Sequence, residues 1–274
     1  MTFLERMADA SRARVRAARA VETDAALERR ARATPPPPPL ALHGFDVIAE
    51  MKLRSPAAGG LAPQDFDKNA QLEGYAAGGA TAVSVLTEPT EFKGELADLV
   101  DAAKLLTAVG RPAMRKDFLT DPYQVLEARA AGAGGVLVIV TMLDDATVHA
   151  LVDSARDLGL FVLLEAFDRA DLERLAPFDA PPSAGPRVLA GVNCRDLRDL
   201  NVRFERFAEL APHLPKHLPT VAESGIGTAD DIRSVASAGY RLALVGSALM
   251  RAKDPVAALV ALIAAGRTAT AERY

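Results

Sequence analysis

The residues best suited to chemistry are two opposite charges that end an apolar segment. Residues 46–60 begin with an uninterrupted apolar run, which is typical of a buried strand, and continue into Glu50 and Lys52. These residues are two positions apart, so their side chains point to the same side of a strand. Opposite charges there are costly unless they pair or meet a charged ligand. The segment therefore predicts a site at the end of this strand.

Other acid–base candidates follow other apolar runs, namely Lys116, Glu165 and Glu223. A lysine beside carboxylates stays charged and can donate a proton or stabilise a developing oxyanion. A glutamate against apolar walls can exchange protons near neutrality, because burial raises the pKa of a carboxyl group. Facing one cavity, these groups would suit acid–base catalysis. An ion-pair network without catalysis is the structural alternative.

Two glycine-containing turns, residues 223–227 (ESGIG) and 245–249 (VGSAL), follow the seventh and eighth apolar runs. Loops at these positions of a (β/α)₈ barrel often bind phosphate. The glycines would let backbone N–H groups approach an anion, and the Ser247 hydroxyl would add a donor. Tight turns formed for backbone geometry alone are the alternative. The candidate residues are Gly225, Gly246 and Ser247, with Ser55 after the first run as a further donor.

These side chains must be positioned by short apolar runs that alternate with amphipathic segments. Unbroken apolar runs separated by helices indicate a parallel sheet covered on both faces. Eight such pairs over about 225 residues predict a (β/α)₈ TIM barrel. An open doubly wound sheet is the alternative, weakened because no GxGxxG follows the first run. The runs are 46–50, 81–86, 112–115, 135–140, 160–165, 187–193, 218–223 and 241–245.

Polar residues end every run except the fourth, which ends in Val140 and Thr141. Because the active site of a barrel lies at the carboxyl ends of its strands, we expect these residues to share one site. Asp117 is expected to pair locally instead. The remaining polar residues of this set are Ser84, Thr87, Arg115, Asn193 and Arg195.

The chain begins with an Arg- and Ala-rich segment that predicts a helix over residues 2–33. Thr2 and Glu5 have the spacing of a capping box. Residues 34–40 contain five consecutive prolines and predict a stiff, extended connector. We therefore expect a helical extension and connector, residues 1–40, packed on a catalytic barrel of residues 41–274.

Composition narrows the class of protein. Half of the 274 residues are apolar, which permits a large core, and the net charge of -4 argues against a nucleic-acid-binding surface. The one cysteine, Cys194, excludes an internal disulfide, favours the cytoplasm, and is interpreted as a packing residue. No apolar run approaches the roughly 20 residues of a membrane span. The four histidines are scattered, so no metal site is expected.

The motifs of the chain, taken together, resemble the indole-3-glycerol phosphate synthase family of tryptophan biosynthesis. The resemblance extends in order from about residue 45 to 260 and includes the N-terminal helix. The motifs are Glu50-Met51-Lys52 with Ser55-Pro56, SVLTE at 84–88, RKDF at 115–118, DPYQVLEARAAGA at 121–133, LLE at 163–165, VNCRDL at 192–197, AESGI at 222–226 and LVGSALMR at 244–251.

The resemblance implies a carboxy-lyase, a carbon–carbon lyase that needs no cofactor or metal. Its substrate would be a small phosphosugar, 1-(2-carboxyphenylamino)-1-deoxyribulose 5-phosphate. Ring closure would give indole-3-glycerol phosphate, carbon dioxide and water. We expect a monomer or weak homo-oligomer without nucleic-acid or membrane partners.

The resemblance also implies roles for the candidate residues. Lys116 would be the general acid at the sugar carbonyl, and Glu165 a proton-transfer group in the dehydration. Lys52 would contact the substrate carboxylate or hydroxyls and share the acid role, a division that the sequence leaves open. Glu50 would orient one of the lysines.

The remaining residues would bind the substrate. Asn193 and Glu223 would hold hydroxyls and the anilino region, and Arg195 would lie near the aromatic carboxylate. Phosphate would be held by Ser55, Gly225, Gly246 and Ser247, with Ser224 lining the site.

The chain departs from the family pattern at Ala57 and Ala58, where a hydroxyl and often a lysine are missing, at Glu95 and at Cys194. These departures leave open a specialised paralogue that acts on a substituted anthranilate-derived substrate. Two further functions are less favoured. One is the binding of a phosphorylated ligand by a barrel without catalysis. The second is that of phosphoribosylanthranilate isomerase, which is expected to use a Cys and Asp pair.

Overall fold

The computed structural model describes residues 1–55, 59–60, 66–178, 188–195 and 201–272. For Ser55 it describes the backbone and not the side chain. Its centre is a closed barrel of parallel strands. The strands are β1 Asp46–Met51, β2 Ala82–Leu86, β3 Ala113–Lys116, β4 Gly135–Ile139, β5 Phe161–Ala166, β6 Val188–Asn193, β7 Thr220–Glu223 and β8 Leu242–Val245.

Closure of the barrel is made by β1, which pairs with both β2 and β8. Ile48 is in register with Ala82 on one side and with Leu244 on the other. No strand of the barrel is therefore left at an edge, and the predicted TIM barrel is confirmed over the open doubly wound sheet.

Helices cover the outside of the barrel. Several begin at an aspartate whose carboxylate accepts a first-turn N–H, as Asp67, Asp121 and Asp144 do, which fixes where each helix starts. The helices after the first strand are α3 Lys68–Ala77, α4 Leu96–Ala108, α5 Pro122–Ala130, α6 Asp145–Asp157, α7 Arg169–Glu173, α8 Arg206–Leu210, α9 Ala229–Ala238, α10 Ser247–Arg251 and α11 Pro255–Ala271.

The strands are buried on both faces, as the unbroken apolar runs predict. Outward residues such as Val47 and Val83 join the large core under the helices. Inward residues such as Ile48, Met114 and Leu163 fill the barrel interior. Since alternate residues on a strand face opposite sides, the inward series of each strand continues upward to its carboxyl end.

The N-terminal extension consists of two helices, α1 Phe3–Val21 and α2 Asp24–Ala33. The prediction of one helix over 2–33 is therefore wrong. The hydroxyl of Thr23 accepts the N–H of Ala26 and caps α2, which ends the first helix at Val21 and starts a second. The capping box of Thr2 and Glu5 is present at the start of α1.

Two local differences from the predicted strands concern the site. The third strand includes Lys116, so this side chain leaves from the strand itself and not from the following loop. The fourth strand ends in a 3₁₀ turn, Val140–Met142, in which the Thr141 hydroxyl donates to Asp171. Among the described residues, no helix has the length and apolar character to cross a membrane.

Candidate active site

A cavity of about 380 Å³ opens at the carboxyl ends of the barrel strands. Every strand contributes to its lining, because each strand directs its last inward residue toward the barrel axis. Glu50, Lys116, Glu165, Asn193 and Glu223 provide the polar part of this surface. Leu86, Leu137, Ile139 and Leu244 provide apolar walls.

The first ion pair in the cavity joins Glu50 and Lys52. The Lys52 Nζ lies 2.6 Å from Glu50 Oε1, and the Glu50 side chain is almost entirely buried. Burial alone would raise the pKa of Glu50, but the charges of Lys52 and Lys116 outweigh it and lower the pKa below its usual value. Glu50 is therefore a carboxylate at neutral pH and holds Lys52 toward the cavity.

Lys116, at the end of β3, lies between two glutamates. Its Nζ is 3.1 Å from Glu165 Oε2 and 3.6 Å from Glu223 Oε2. Burial lowers the pKa of Lys116, but Glu165, Glu223 and Glu50 together raise it above the usual lysine value. Lys116 is thus a protonated amine with carboxylates in contact, an arrangement able to give a proton and recover it.

Glu223 has the opposite electrostatic balance. Burial is the largest cause that raises the pKa of Glu223 well above its usual range, and repulsion from the Glu165 carboxylate is the second. The positive charge of Lys116 lowers this pKa but does not outweigh them. Among the described residues, Glu223 Oε1 has no hydrogen-bond partner. A buried oxygen without a partner is costly unless a ligand satisfies it. Glu223 is therefore suited to a substrate hydroxyl or N–H group.

Two glycines make room for these carboxylates. A Cβ on Gly191 of β6 would lie 2.1 Å from Glu223 Oε1, and one on Gly246 would lie 2.4 Å from Glu50 Oε1. Such distances are far inside van der Waals contact, so any larger residue would displace the carboxylates. Sequence reasoning predicts Gly246 only as a phosphate ligand, and no local pattern indicates the role of Gly191.

Asn193 and Arg195 occupy the end of β6 and also line the cavity. The backbone N–H of Arg195 donates to Asn193 Oδ1 at 2.9 Å, which fixes the orientation of the amide. The backbone of Arg195 also forms a bridge with Val202. The two side chains therefore leave from a segment that is anchored on both sides.

The glycine-containing turns form another corner of the cavity. Ser224 and Gly225 adopt left-handed backbone conformations, with φ of 69° and 67°. They lie beside Gly246 and Ser247, where α10 begins. Arg251, at the end of α10, also lines this corner. The side chain of Ser55, and Ala57 and Ala58, lie outside the described residues.

An aromatic wall, consisting of Phe3, Phe92 and Phe118, bounds the cavity on the side of α1. The rings of Phe3 and Phe118 meet edge to face with centroids 5.9 Å apart, and those of Phe92 and Phe118 are 6.3 Å apart. Sequence reasoning missed this wall. Phe118 could have been found, because it lies two residues beyond Lys116 and faces the same side; Phe3 carries no such signal.

Some predicted members of the site lie elsewhere. Arg115 alternates with Lys116 on β3 and therefore faces outward, where it donates to Thr87, to the carbonyl of Gln124 and to Glu127. The expectation that Arg115 and Thr87 share the active site is wrong for this reason. Ser84 is buried inside the barrel, and its hydroxyl has no partner among the described residues.

Cys194 is buried beside the site, where its thiol donates to the carbonyl of Ser224 at 3.3 Å. Burial raises the pKa of Cys194 to about 12, so the thiol is a poor nucleophile. Within the described ranges, no group of histidine, cysteine or carboxylate side chains has the arrangement of a metal site.

Comparison with known proteins gives the family. The family model described as indole-3-glycerol phosphate synthase matches residues 4–262. An indole-3-glycerol phosphate synthase of Nocardioides sp. is 45% identical over 224 residues, which cover 82% of each chain. Another, from Rhodococcus jostii, is 41% identical over 271 residues, which cover 97% of this chain and 96% of that protein.

Solved structures agree on the fold. The 3-hexulose-6-phosphate synthase of Salmonella typhimurium superposes with a TM-score of 0.61 over 84% of this chain and 100% of its own, at 13% identity. This likeness concerns the barrel alone. The sequence matches extend through the N-terminal helices and all eight strands, and they establish that the chain belongs to the indole-3-glycerol phosphate synthase family.

Proposed function

We propose that this chain is a carboxy-lyase that closes the indole ring of 1-(2-carboxyphenylamino)-1-deoxyribulose 5-phosphate, with release of carbon dioxide and water. The observation that carries the proposal is the contact of the Lys116 ammonium with Glu165 and Glu223 inside a cavity that joins an aromatic wall to two glycine-containing turns. The reaction needs an acid and a base close together, and this contact supplies both.

The cavity suits both ends of this substrate. The aromatic wall of Phe3, Phe92 and Phe118 offers ring faces and edges for the carboxyphenyl group. The turns at Ser224–Gly225 and Gly246–Ser247 offer backbone N–H groups and hydroxyls for the phosphate, and the Arg251 side chain adds positive charge nearby. Bound across the cavity in this way, the substrate would place its sugar carbonyl over the charged rim.

In the condensation, the ring carbon that bears the carboxylate attacks the sugar carbonyl carbon. The π electron pair of the carbonyl moves onto oxygen, which takes a proton from Lys116 and becomes a hydroxyl group. The carboxylate then leaves as carbon dioxide, and the electrons of the broken carbon–carbon bond restore the aromatic ring. Lys116 is suited to this step because its carboxylate neighbours keep it protonated until the alkoxide forms.

In the dehydration, Glu165 removes a proton from the methylene carbon next to nitrogen. The electron pair of that carbon–hydrogen bond forms the new double bond, and the hydroxyl group leaves as water with a proton from Lys116, which the proton taken by Glu165 replaces. Glu165 touches Lys116 at 3.1 Å, so protons can pass between them without crossing bulk solvent. One proton is consumed overall, and Lys116 regains it from water. The reaction involves no change of redox state.

The remaining residues would bind and orient the substrate. Lys52, held by Glu50, would contact the carboxylate or hydroxyls and assist the acid step. Glu223 Oε1 would accept a hydroxyl or the anilino N–H, which would satisfy its unmet hydrogen bond. Asn193 would hold the substrate hydroxyls and the anilino region together with Glu223. Arg195 would face the aromatic carboxylate. Ser55 would add a hydroxyl to the phosphate site.

Incubation of the purified protein with 1-(2-carboxyphenylamino)-1-deoxyribulose 5-phosphate tests the proposal. We expect indole absorbance and fluorescence to appear together with one equivalent of carbon dioxide. The chain contains no tryptophan, so product fluorescence is observed against a low background. Absence of product, or turnover of phosphoribosylanthranilate instead, would contradict the assignment.

The cellular setting follows from the same proposal. A small-molecule biosynthetic enzyme with one buried cysteine suits the cytoplasm. We propose a barrel of residues 41–274 that carries residues 1–40 as a packed extension, since Phe3 and Met7 reach the cluster inside the barrel. We also propose a monomer or weak homo-oligomer, which sedimentation at several concentrations would test.

A further inference from the structure

Helix α1 inserts one arginine between two buried carboxylates of the barrel. The Arg14 Nη2 lies 2.6 Å from Asp117 Oδ1, and its Nη1 lies 3.6 Å from Glu88 Oε1. Both carboxylate side chains are fully buried, whereas Arg14 is 29% exposed. The two acids belong to different loops, one after β2 and one after β3, so Arg14 connects the extension to both.

Glu88 organises the loop after β2. Its carboxylate accepts the backbone N–H groups of Thr90, Glu91 and Phe92, at 2.9, 2.6 and 3.1 Å. Among the described residues, Arg14 is the cation paired with Glu88. Without it, a fully buried carboxylate would keep backbone donors but lose its counter-charge, which is a costly state.

Asp117 organises the loop after β3 in the same way. Its carboxylate accepts the backbone N–H of Phe118 at 2.8 Å and the Thr87 hydroxyl at 2.9 Å. Arg115 is a second cation on this acid, at 3.1 Å. The Asp117 loop is therefore less dependent on Arg14 than the Glu88 loop is.

Both loops carry parts of the cavity. Glu88 binds the backbone N–H of Phe92, and Asp117 binds the backbone N–H of Phe118. Phe3, the third member of the aromatic wall, belongs to the same helix as Arg14. The position of the wall therefore depends on a helix and two loops that meet at a single guanidinium group.

We propose that Arg14 is a positioning residue for the aromatic half of the substrate. It acts through Glu88 and Asp117, and touches neither the substrate nor the reacting atoms. The inference rests on the proposed function in assigning the wall to the carboxyphenyl group. Loss of Arg14 would loosen the wall while leaving the turns at Ser224–Gly225 and Gly246–Ser247, which belong to β7 and β8, unchanged.

Binding of two substrate fragments tests this separation. The probes are 2-aminobenzoate for the aromatic half and glycerol 3-phosphate for the phosphate half, both as competitive inhibitors. In Arg14→Ala we expect the inhibition constant of 2-aminobenzoate and the KM to rise about tenfold, as misplacement of binding groups implies. The inhibition constant of glycerol 3-phosphate should stay within about twofold.

A matched control is Arg12→Ala on the same helix, because Arg12 pairs only with the exposed Asp9 among the described residues. It should behave as the parent protein with both probes. Arg14→Lys keeps a charge that can reach Asp117 and should recover part of the lost affinity. Equal weakening of both probes in Arg14→Ala, no weakening of either, or no recovery in Arg14→Lys would overturn the proposal.

Hydrogen exchange tests the same contact without any turnover. Arg14→Ala should speed exchange of the amides of Thr90, Glu91 and Phe92 more than that of Phe118, because Asp117 retains Arg115. The barrel strands should keep their protection.

Uniform loss of protection in both Arg14→Ala and the milder Arg14→Gln would show a purely structural role. If the parent protein made no indole product, the proposed function would fail while this measurement still decided about Arg14.

Discussion

Lys116 keeps its charge in a buried position because carboxylates surround it. Burial would by itself favour the neutral amine, but Glu165 at 3.1 Å and Glu223 at 3.6 Å reverse the balance. The cost of this arrangement falls on Glu223, whose pKa is raised by burial and by the neighbouring Glu165. The acid and its partners are therefore a single electrostatic unit, in which a change at one residue alters the others.

Replacement of Lys116 should affect the chemical step more than binding. In Lys116→Ala we expect kcat to fall by about 10²-fold or more, with a small change in KM, because an acid acts chiefly in the transition state. Ser247→Ala should instead mainly raise KM, as expected for a phosphate ligand. Steady-state kinetics of both variants decide the matter, and equal effects on kcat and KM in either variant would contradict these roles.

Glu223 should reduce the stability of the free enzyme at neutral pH. Its raised pKa means that the folded protein binds this proton more tightly than the unfolded chain, so its contribution to stability is present below the ordinary glutamate pKa and is lost as pH rises through the folded value. Glu223→Gln removes this loss. We expect it to be more stable than the parent at pH 8, with the difference vanishing near pH 4.

Glu50→Gln is the matched comparison, because the pKa of Glu50 is shifted in the opposite direction. Burial raises it, but Lys52 and Lys116 outweigh burial and lower it. Its favourable contribution is present above the ordinary glutamate pKa and is lost as pH falls through the folded value. Glu50→Gln should therefore be less stable than the parent at pH 8. Urea unfolding at both pH values measures these differences; the same sign for both variants would refute the assignment.

At the scale of elements, the ends of the strands determine which side chains can coexist. Gly191 on β6 and Gly246 after β8 lie where a Cβ would overlap the Glu223 and Glu50 carboxylates. Neighbouring strands in the barrel pair about 4.8 Å apart, so large inward residues on every strand would not fit. Glycine at these two positions therefore leaves room for the carboxylates of the neighbouring strands.

Gly246→Ala should disturb the Glu50–Lys52 pair. The new Cβ would lie 2.4 Å from Glu50 Oε1 and 3.0 Å from Lys52 Nζ, so at least one of the side chains must move. We expect kcat/KM to fall by about tenfold or more. The control is Gly110→Ala, at a remote turn with φ of 70° and no atom within 4 Å, which should lower stability but leave kcat/KM unchanged. A Gly246→Ala enzyme with parental kinetics would be incompatible with this interpretation.

At the scale of the whole molecule, closure of the barrel joins its first and last strands. β1 pairs with β8 from Asp46↔Leu242 to Ala49↔Val245, and α11 packs behind both the first strand and α9. Arg267 of α11 donates to Asp46 at 3.2 Å, and Gly266 lets this helix cross the ring of Phe45. These contacts lie at the opposite end of the barrel from the cavity, so they contribute to stability more than to catalysis.

Gly266→Ala should therefore destabilise the fold without changing the site. Its Cβ would lie 2.1 Å from the Phe45 ring, and overpacking of this kind costs about 1–3 kcal/mol, more than the helix gains from alanine. Gly74→Ala is the matched control, also in a helix, where the Cβ meets a methyl of Val256 at 3.3 Å. Thermal unfolding should show a lower Tm for Gly266→Ala alone, with kcat unchanged at 25 °C. A loss of kcat would place this contact within the catalytic unit.

The sequence by itself determined the barrel and much of its rim. Unbroken apolar runs separated by amphipathic segments are sufficient to predict parallel strands, and carboxyl ends of parallel strands meet at one face. Charged residues that follow such runs, as Glu50, Lys116 and Glu223 do, are therefore predicted to lie together. The motifs added the family, which the comparisons confirmed.

Only the tertiary structure decided which residues face the cavity and what controls their charge. Arg115 and Lys116 are adjacent in sequence, yet the pleat of β3 sends one outward and the other into the site. Phe3 and Arg14 reach the barrel from a helix that is distant in sequence from their loop partners, Phe118 and Glu88. Contacts of this kind depend on packing between elements that are distant in sequence, so the local hydrophobic pattern does not predict them.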